Sequence, residues 1–368
     1  MQVPFLSFVP QHQLIREEVL AAVARVYDSQ WYVLGESVTD FEQQFAAYCN
    51  VSHAVGVANG LDALHLSLKA LDIKPGDEVI VPSNTYIATW LAVSYVGATV
   101  VPVEPNPTTY NLDPTQLETA ITPRTRVILP VHLYGQACQM ADIMDIANRY
   151  EINVIEDNAQ AQGAICRGQR TGSFGQLNAT SFYPGKNLGA LGDAGAITTN
   201  NADLARKVQV MRNYGSQQKY YNEIIGHNSR LDELQAAVLS VKLKQLDYWT
   251  SQRQQIAGLY NQALEGVGDL KLPEIAKECT HVYHLYVVNT QSRDALHKWL
   301  QERSIGTLIH YPVPPHLQQA YSHLGFKAGQ FPIAEASAKT VLSLPMWPGM
   351  TTEHVEYVVR AVKDFFAR

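Results

Sequence analysis

No run in the 368-residue chain approaches the ~18–20 uninterrupted apolar residues that a membrane span requires. The opening stretch MQVPFLSFVPQHQ has no basic n-region, and Pro4 and Pro10 interrupt its short apolar run. No secretory leader is expected there, and the chain reads as a soluble, cytoplasmic protein. Charge is sparse: Asp, Glu, Lys and Arg make up 17%, the net charge is −6, and like charges form no block. That balance argues against nucleic-acid or anionic-membrane binding. The four cysteines, Cys49, Cys138, Cys166 and Cys279, lie far apart with no CxxC pair. A zinc ribbon, a thioredoxin motif and a disulfide scaffold are thereby excluded. Internal repeats and low-complexity tracts are also missing.

What is present is a 46% hydrophobic chain, long enough for about two domains of ~150 residues each. From about residue 14 to 300, short β-branched runs alternate with helical periodicities. HAVGVANG, EVIVPS (78–83), TVVPVEP (99–105), RVILPVHL (126–133) and INVIED (152–157) read as strands. LDALHLSLKAL, ATWLAVSYVG and MADIMDIANRY read as helices between several of them. This alternation predicts βαβ units, an α/β fold and a mainly parallel sheet covered on both faces. Residues 232–264 read as one long connecting helix. HVYHLYVVNT reads as a strand and DALHKWLQER as a helix of a smaller α/β domain. The expected division is 1–250 for the large domain and 251–368 for the small one.

The segment SFYPGKNLGALGDAGAITTN (181–200) sets Lys186 among glycines. A phosphate-binding P-loop would need Gly at 180 and Ser or Thr at 187, and the chain has Thr180 and Asn187. A dinucleotide fingerprint fails because Gly189, Gly192 and Gly195 give no G-x-G. Alone, Lys186 would read as a solvated lysine on a surface turn. Asp157, however, ends the strand INVIE, at the carboxyl edge where open α/β sheets place ligands. It could pair with a cationic ring nitrogen or cap a following helix through Asn158 or Ala159. Metal ligation lacks His or Cys partners at ligand spacing, and no metal is expected. In VGVANGLDALHLSL a strand enters a helix through Asn59 and Gly60, so the helix start at Gly60 and Leu61 suits a phosphate. A phosphate cradle, a strand-end carboxylate and an accessible lysine are what pyridoxal phosphate needs: the amine forms a Schiff base and the carboxylate keeps the pyridine nitrogen protonated.

The ordered motifs WYVLG, ANGLDAL, PSNTYIAT, PVHLYGQ, VIEDNAQAQGA, SFYPGKNLGALGDAGA, GHNSRLDELQAA, HVYHLYVV and IHYPVPPHLQ cover essentially the whole chain. With them the chain resembles the nucleotide-sugar aminotransferases of the DegT/StrS type, in the fold-type I (aspartate aminotransferase-like) group. The resemblance implies pyridoxal 5′-phosphate as cofactor, Lys186 as the lysine that carries it and Asp157 as the pyridinium partner. It implies Gln160 as donor to the ring hydroxyl, Tyr86 as the aromatic over the ring, and Gly60, Leu61 and Ser181 as the phosphate cradle. Asn228 matches an Asn that reaches the phosphate of a neighbouring subunit, which implies a homodimer with shared sites. Tyr183, His310 and Tyr311 are expected at the sugar, and Lys219 and Tyr220 at the diphosphate. His281 and His284 are expected to be structural members of a small-domain strand.

The implied reaction moves an amino group from an amino acid, by resemblance glutamate, to a nucleotide-linked keto-sugar. A dTDP-3-keto-6-deoxyhexose giving dTDP-3-amino-3,6-dideoxyhexose fits the pairing of SFYPGKNLGALGDAGA with IHYPVPPHLQ, as in deoxyaminosugar and lipopolysaccharide O-antigen synthesis. The alternatives are a 4-aminotransferase on a 4-keto-6-deoxyhexose and a non-catalytic regulator or sensor that keeps the cofactor pocket. Three departures from the relatives' pattern stand out. Asn158 and Gln162 replace Ala and His in EDAAQAHG, and Leu61 replaces a hydroxyl residue.

Overall fold

The β-branched runs form strands because the sheet they join is buried on both faces, where continuous apolar sequence is at home. In the computed structural model, which describes residues 1–368, seven strands make the central sheet. From edge to edge they are His53–Val57, Gly195–Thr199, Leu177–Ser181, Asn153–Asp157, Thr125–Ile128, Glu78–Pro82 and Thr99–Val103. Six run parallel, while Gly195–Thr199 is antiparallel to both neighbours. Every residue of Glu78–Pro82 is buried, including Glu78, which Arg124 and Thr122 satisfy with hydrogen bonds. Helices Gly60–Ala70, Ile87–Tyr95, Met140–Arg149 and Ala202–Arg212 pack against the sheet. Trp90, fully buried, anchors Ile87–Tyr95 by donating from its indole to the Pro82 carbonyl.

A second core gathers residues between Ile256 and Val362, and Val3 from the N-terminus joins it. It contains the antiparallel pair Tyr286–Asn289 and Val341–Leu344 together with helices Arg293–Gln301 and Thr352–Phe366. The last helix starts on a capping box between Thr351 and His354. No helix is long and apolar enough to cross a membrane.

Two expectations are corrected. Residues 232–264 are not one helix but two, Glu233–Leu243 and Leu246–Leu264, broken at Lys244 and Gln245. Neither Gly nor Pro marks the break. The first helix packs on helices Val9–Ser29 and Glu36–Cys49, where buried Lys242 donates to the Gly189 carbonyl, and the second supplies Ile256, Ala257 and Tyr260 to the second core. Similarly, the strand expected in HVYHLYVV begins only at Tyr286. Ahead of it the backbone is held by the Tyr134–Gln136 turn, through Val282 N–H to the Gly135 carbonyl and Leu285 N–H to the Tyr134 carbonyl. His281 and His284 therefore lie outside the strand.

The topology decides where a site can form. Asn153–Asp157 and Leu177–Ser181 are parallel neighbours, with Asp157 opposite Ala179, so Asp157 and Ser181 emerge at one edge. Lys186 follows five residues after Ser181.

Candidate active site

At that edge a cavity of about 620 Å³ opens between the two cores, a size suited to a cofactor with part of a substrate. Gly60, Leu61, Tyr86, Asp157, Gln160, Ser181, Tyr183, Lys186, His310 and Tyr311 all line it. Ten residues singled out in the sequence thus share one chamber.

Asp157 is buried and held from two sides: Thr89 donates its hydroxyl to Oδ2 at 3.0 Å and the Ala159 N–H donates to Oδ1 at 3.1 Å. Residues 158–164 are turns, so the helix-cap reading of Asp157 has no helix to cap. Burial raises the carboxyl pKa against the hydrogen bonds from Ala159 and Thr89 and the attraction of Lys186. The neighbouring Glu156 points to the other face, as strand alternation requires. There it meets His132 at 2.7 Å and accepts from the N–H groups of Gly172, Phe174 and Gly175. The Cys138 N–H donates to Nδ1 of His132 at 3.0 Å, so the ring is neutral and its proton sits on Nε2, facing Glu156.

Lys186 is half-buried and its amine pKa falls to about 8, desolvation prevailing over the attraction of Asp157. The loop that carries it is pinned from behind: a Cβ on Gly189 would lie 2.2 Å from the Pro184 carbonyl oxygen.

Helix Gly60–Ala70 begins at Asn59, whose side chain accepts from the Asp62 N–H at 2.8 Å. The N–H groups of Gly60 and Leu61 belong to the first turn, which has no intrahelical partners, and both residues face the cavity. Asp62 does not: its Oδ2 accepts from Ser229 at 2.7 Å, so the acid is turned aside from the helix mouth. Gly60 is pressed against the strand end, where an added Cβ would meet the Ser181 Cβ at 2.5 Å. Gln162 stays out of the cavity and donates to the Ser181 carbonyl at 2.8 Å, so this departure from the relatives' pattern braces the cradle.

The far wall is polar and aromatic. Gln160 accepts from the Tyr134 N–H at 2.7 Å and donates to the Tyr311 hydroxyl at 3.1 Å. Tyr86 and Tyr311 pack with ring centroids 5.2 Å apart. His310 shares a hydrogen bond of 2.8 Å with Ser343, and burial and the nearby Lys186 draw its pKa down to about 4. It is neutral at pH 7. These residues fit pyridoxal phosphate: an anion mouth at Gly60, Leu61 and Ser181, a held carboxylate for the ring nitrogen, and an amine between them.

Residues 13–363 match the DegT/DnrJ/EryC1/StrS aminotransferase family. The chain belongs to this family. It is 52% identical over 363 residues, 99% of each chain, to the dTDP-3-amino-3,6-dideoxy-alpha-D-galactopyranose transaminase of Aneurinibacillus thermoaerophilus. It is 49% identical over 367 residues, 100% of this chain and 97% of the other, to the dTDP-3-amino-3,4,6-trideoxy-alpha-D-glucose transaminase of Streptomyces venezuelae. The crystal structure of S. venezuelae DesV in complex with a ketimine intermediate superposes with a TM-score of 0.98 at 49% identity, covering 100% of this chain and 99% of that one.

Three residues singled out in this aminotransferase lie outside the cavity of their own chain. Lys219 and Tyr220 are exposed on the ribbon of Ser216–Gln218 and Tyr221–Asn222, the lysine 5.1 Å over the tyrosine ring. Asn228 is also exposed, bridged to Asn213. Conversely, the cavity wall contains residues that sequence reading missed. Arg253 is 3% exposed, donates from Nη1 to the Tyr283 carbonyl at 3.1 Å, and leaves Nε without a partner. No acidic side chain pairs with it, and burial lowers its pKa to about 10. His284, expected to be structural, lines the wall with a buried, unpartnered Nδ1. Phe5 and Leu6 close the chamber from the N-terminus. The isolated RQQ of a helix gave no signal for Arg253, because only folding brings it beside Lys186.

Proposed function

We propose that this aminotransferase uses pyridoxal 5′-phosphate to move an amino group from glutamate to carbon 3 of a dTDP-linked 3-keto-6-deoxyhexose, giving a dTDP-3-amino-3,6-dideoxyhexose. One observation carries the reading: a half-buried lysine and a buried, hydrogen-bonded carboxylate line a single cavity whose mouth is a helix start. Carbon 3 rather than carbon 4 is favoured by the two relatives described above, both named for 3-amino sugars.

When bound, the cofactor supplies an aldehyde that links to amines and a ring that accepts the electron pair left as a carbon loses its proton. The chain's own residues do the rest. Asp157, oriented by Thr89 and Ala159, holds positive charge at the ring nitrogen, and such a charge draws its own pKa back down. Gly60, Leu61 and Ser181 take the phosphate. The Lys186 amine, with its pKa near 8, takes and returns a proton around neutral pH, where a general base and acid works best. Arg253 offers its unpaired guanidinium to the amino acid's carboxylate. Neutral His310, with Tyr183 and Tyr311, meets the sugar hydroxyls.

We further propose a homodimer in which Asn228, Lys219 and Tyr220 serve the partner's site. Support comes from large apolar side chains left exposed around them: Trp31, Tyr32, Tyr220, Tyr221 and Ile225. The Val33–Asp232 bridge brings the first of these beside the Asn228 stretch. Sedimentation should give twice the 40.9 kDa chain mass, and a fully active monomer would contradict it. Placement in the cytoplasm and in O-antigen synthesis follows from the substrate class alone, and cell fractionation and the surface-sugar composition of a deletion strain test the two. The function itself is tested with glutamate and a panel of dTDP-3-keto and 4-keto sugars, by mass and NMR of the products. A 3-amino product supports the reading. A 4-amino product moves the regiochemistry, and no product from any keto-sugar leaves the sensor alternative.

A further inference from the structure

Cys166 and Cys279, 113 residues apart in sequence, face each other as an antiparallel pair with their sulfur atoms 3.0 Å apart. The flanking backbone bonds are Arg167 N–H to the Glu278 carbonyl at 2.8 Å and Thr280 N–H to the Ile165 carbonyl at 2.7 Å. They bracket the two cysteines without joining them, which makes this a non-hydrogen-bonded pair. That is the close-spaced kind, with Cα atoms about 4.5 Å apart in general and within the reach of a disulfide. Both cysteines are free thiols here, and nothing in the aminotransferase chemistry uses them.

We propose that Cys166 and Cys279 form a reversible redox pair, closed to a disulfide by a peroxide and reopened by a dithiol. Cys166 thiolate attacks a peroxide oxygen, giving a sulfenic acid and releasing hydroxide. Cys279 thiolate then attacks that sulfur, and the oxygen leaves as a second hydroxide. Two thiols and one hydrogen peroxide thus become one disulfide and two waters.

The surroundings divide the roles. Cys279 donates its S–H toward Cys166, and the Met140 and Ala141 N–H groups at the start of helix Met140–Arg149 face the same sulfur. These donors hold the Cys166 thiol below its ordinary range and favour the thiolate, while donation and burial hold Cys279 above it. Cys279 is the less buried of the two, which gives an oxidant or a reductant its approach. The bond would also act at a distance from itself. Cys166 belongs to the stretch that follows Asp157 in the large domain, whereas Cys279 belongs to the segment that delivers His284 to the cavity and meets Arg253 through the Tyr283 carbonyl. Closing it ties that segment covalently to the hairpin of Ile165–Cys166 and Gln169–Arg170.

The test counts thiols in the intact, cofactor-loaded protein. After reduction, removal of reductant and exposure to hydrogen peroxide, the denatured protein should show two reactive thiols instead of four. Non-reducing peptide maps should show the peptides holding residues 166 and 279 joined, about two mass units below their sum. Dithiothreitol should restore all four thiols, and the oxidised form should melt several degrees above the reduced one, as a long closed loop predicts. C279S should lose the crosslink while Cys166 stops at a trapped sulfenic acid. Four thiols persisting, a crosslink through Cys49 or Cys138, or Cys166 passing to sulfinic acid without crosslinking would each overturn the proposal. None of these outcomes depends on transaminase turnover.

Discussion

Gly60 stands so close to Ser181 that a methyl group added to it would lie 2.5 Å from the serine Cβ, well inside van der Waals contact. One contact thus joins the helix start to the strand end, and the phosphate mouth exists because of it. Substituting Gly60→Ala should force the two apart by a distance that strands the N–H groups of Gly60 and Leu61. Overpacking of this kind costs about 1–3 kcal/mol. Cofactor affinity should fall roughly tenfold or more, measured by absorbance titration of the cofactor-free protein. Unchanged affinity would mean the phosphate sits elsewhere.

Asp157 sets function against stability. Its carboxyl is raised in the cofactor-free fold, chiefly by burial. A carboxyl raised on folding leaves the unfolded chain ionising first, so stability falls as pH climbs above the ordinary carboxylate range. Asp157→Asn should therefore melt higher than wild type without cofactor at pH 7, with the gain vanishing near pH 3. The same change should cut turnover by about two orders of magnitude or more, the scale of losing one preorganised electrostatic partner. Thermal melts against pH and steady-state kinetics check the two halves. A variant with lower melting temperature and full activity contradicts both.

Lys186 makes a pH prediction of its own. Only its neutral amine can attack the cofactor aldehyde, and its pKa is about 8. The rate of cofactor capture should rise about tenfold per pH unit below that value and flatten above it. Stopped-flow absorbance would show this directly. A rise continuing toward pH 10 would place the amine in water rather than in the buried cavity.

Arg253 has the donor as its expected partner. Arg253→Met should raise the KM for glutamate by about tenfold or more, the usual cost of a lost charge-assisted bond, while single-turnover amination of the keto-sugar changes little. Arg253→Lys should recover part of the loss. Equal damage to both half-reactions would instead assign the residue to the Tyr283 and His284 carbonyls it holds.

Much of this was legible locally. The alternation of apolar runs gives strands and helices, and strand ends point to Asp157 and Ser181, because side-chain period and sheet edges are properties of short stretches. The departures from expectation are all non-local. The break at Lys244 lets the second helix start on the first one's cores, through Leu246 and Trp249, and end on another, through Ile256 and Tyr260, and no residue at the break announces it. His284 and Arg253 reach the cavity through contacts with distant backbone, and His284 was misread because the Tyr134–Gln136 turn, not a strand partner, claims its segment. The Cys166–Cys279 pair needs the fold to bring together two short edges that sequence spacing alone holds apart. Lys219, Tyr220 and Asn228 lie beyond the reach of a single chain's own cavity.

The most direct test of the account is where the cofactor attaches. Cofactor-loaded protein reduced with borohydride, digested and sequenced by mass spectrometry should carry the pyridoxyl mass on the peptide that contains SFYPGK, at Lys186 alone. The mass on any other lysine, or on none, would contradict the site described.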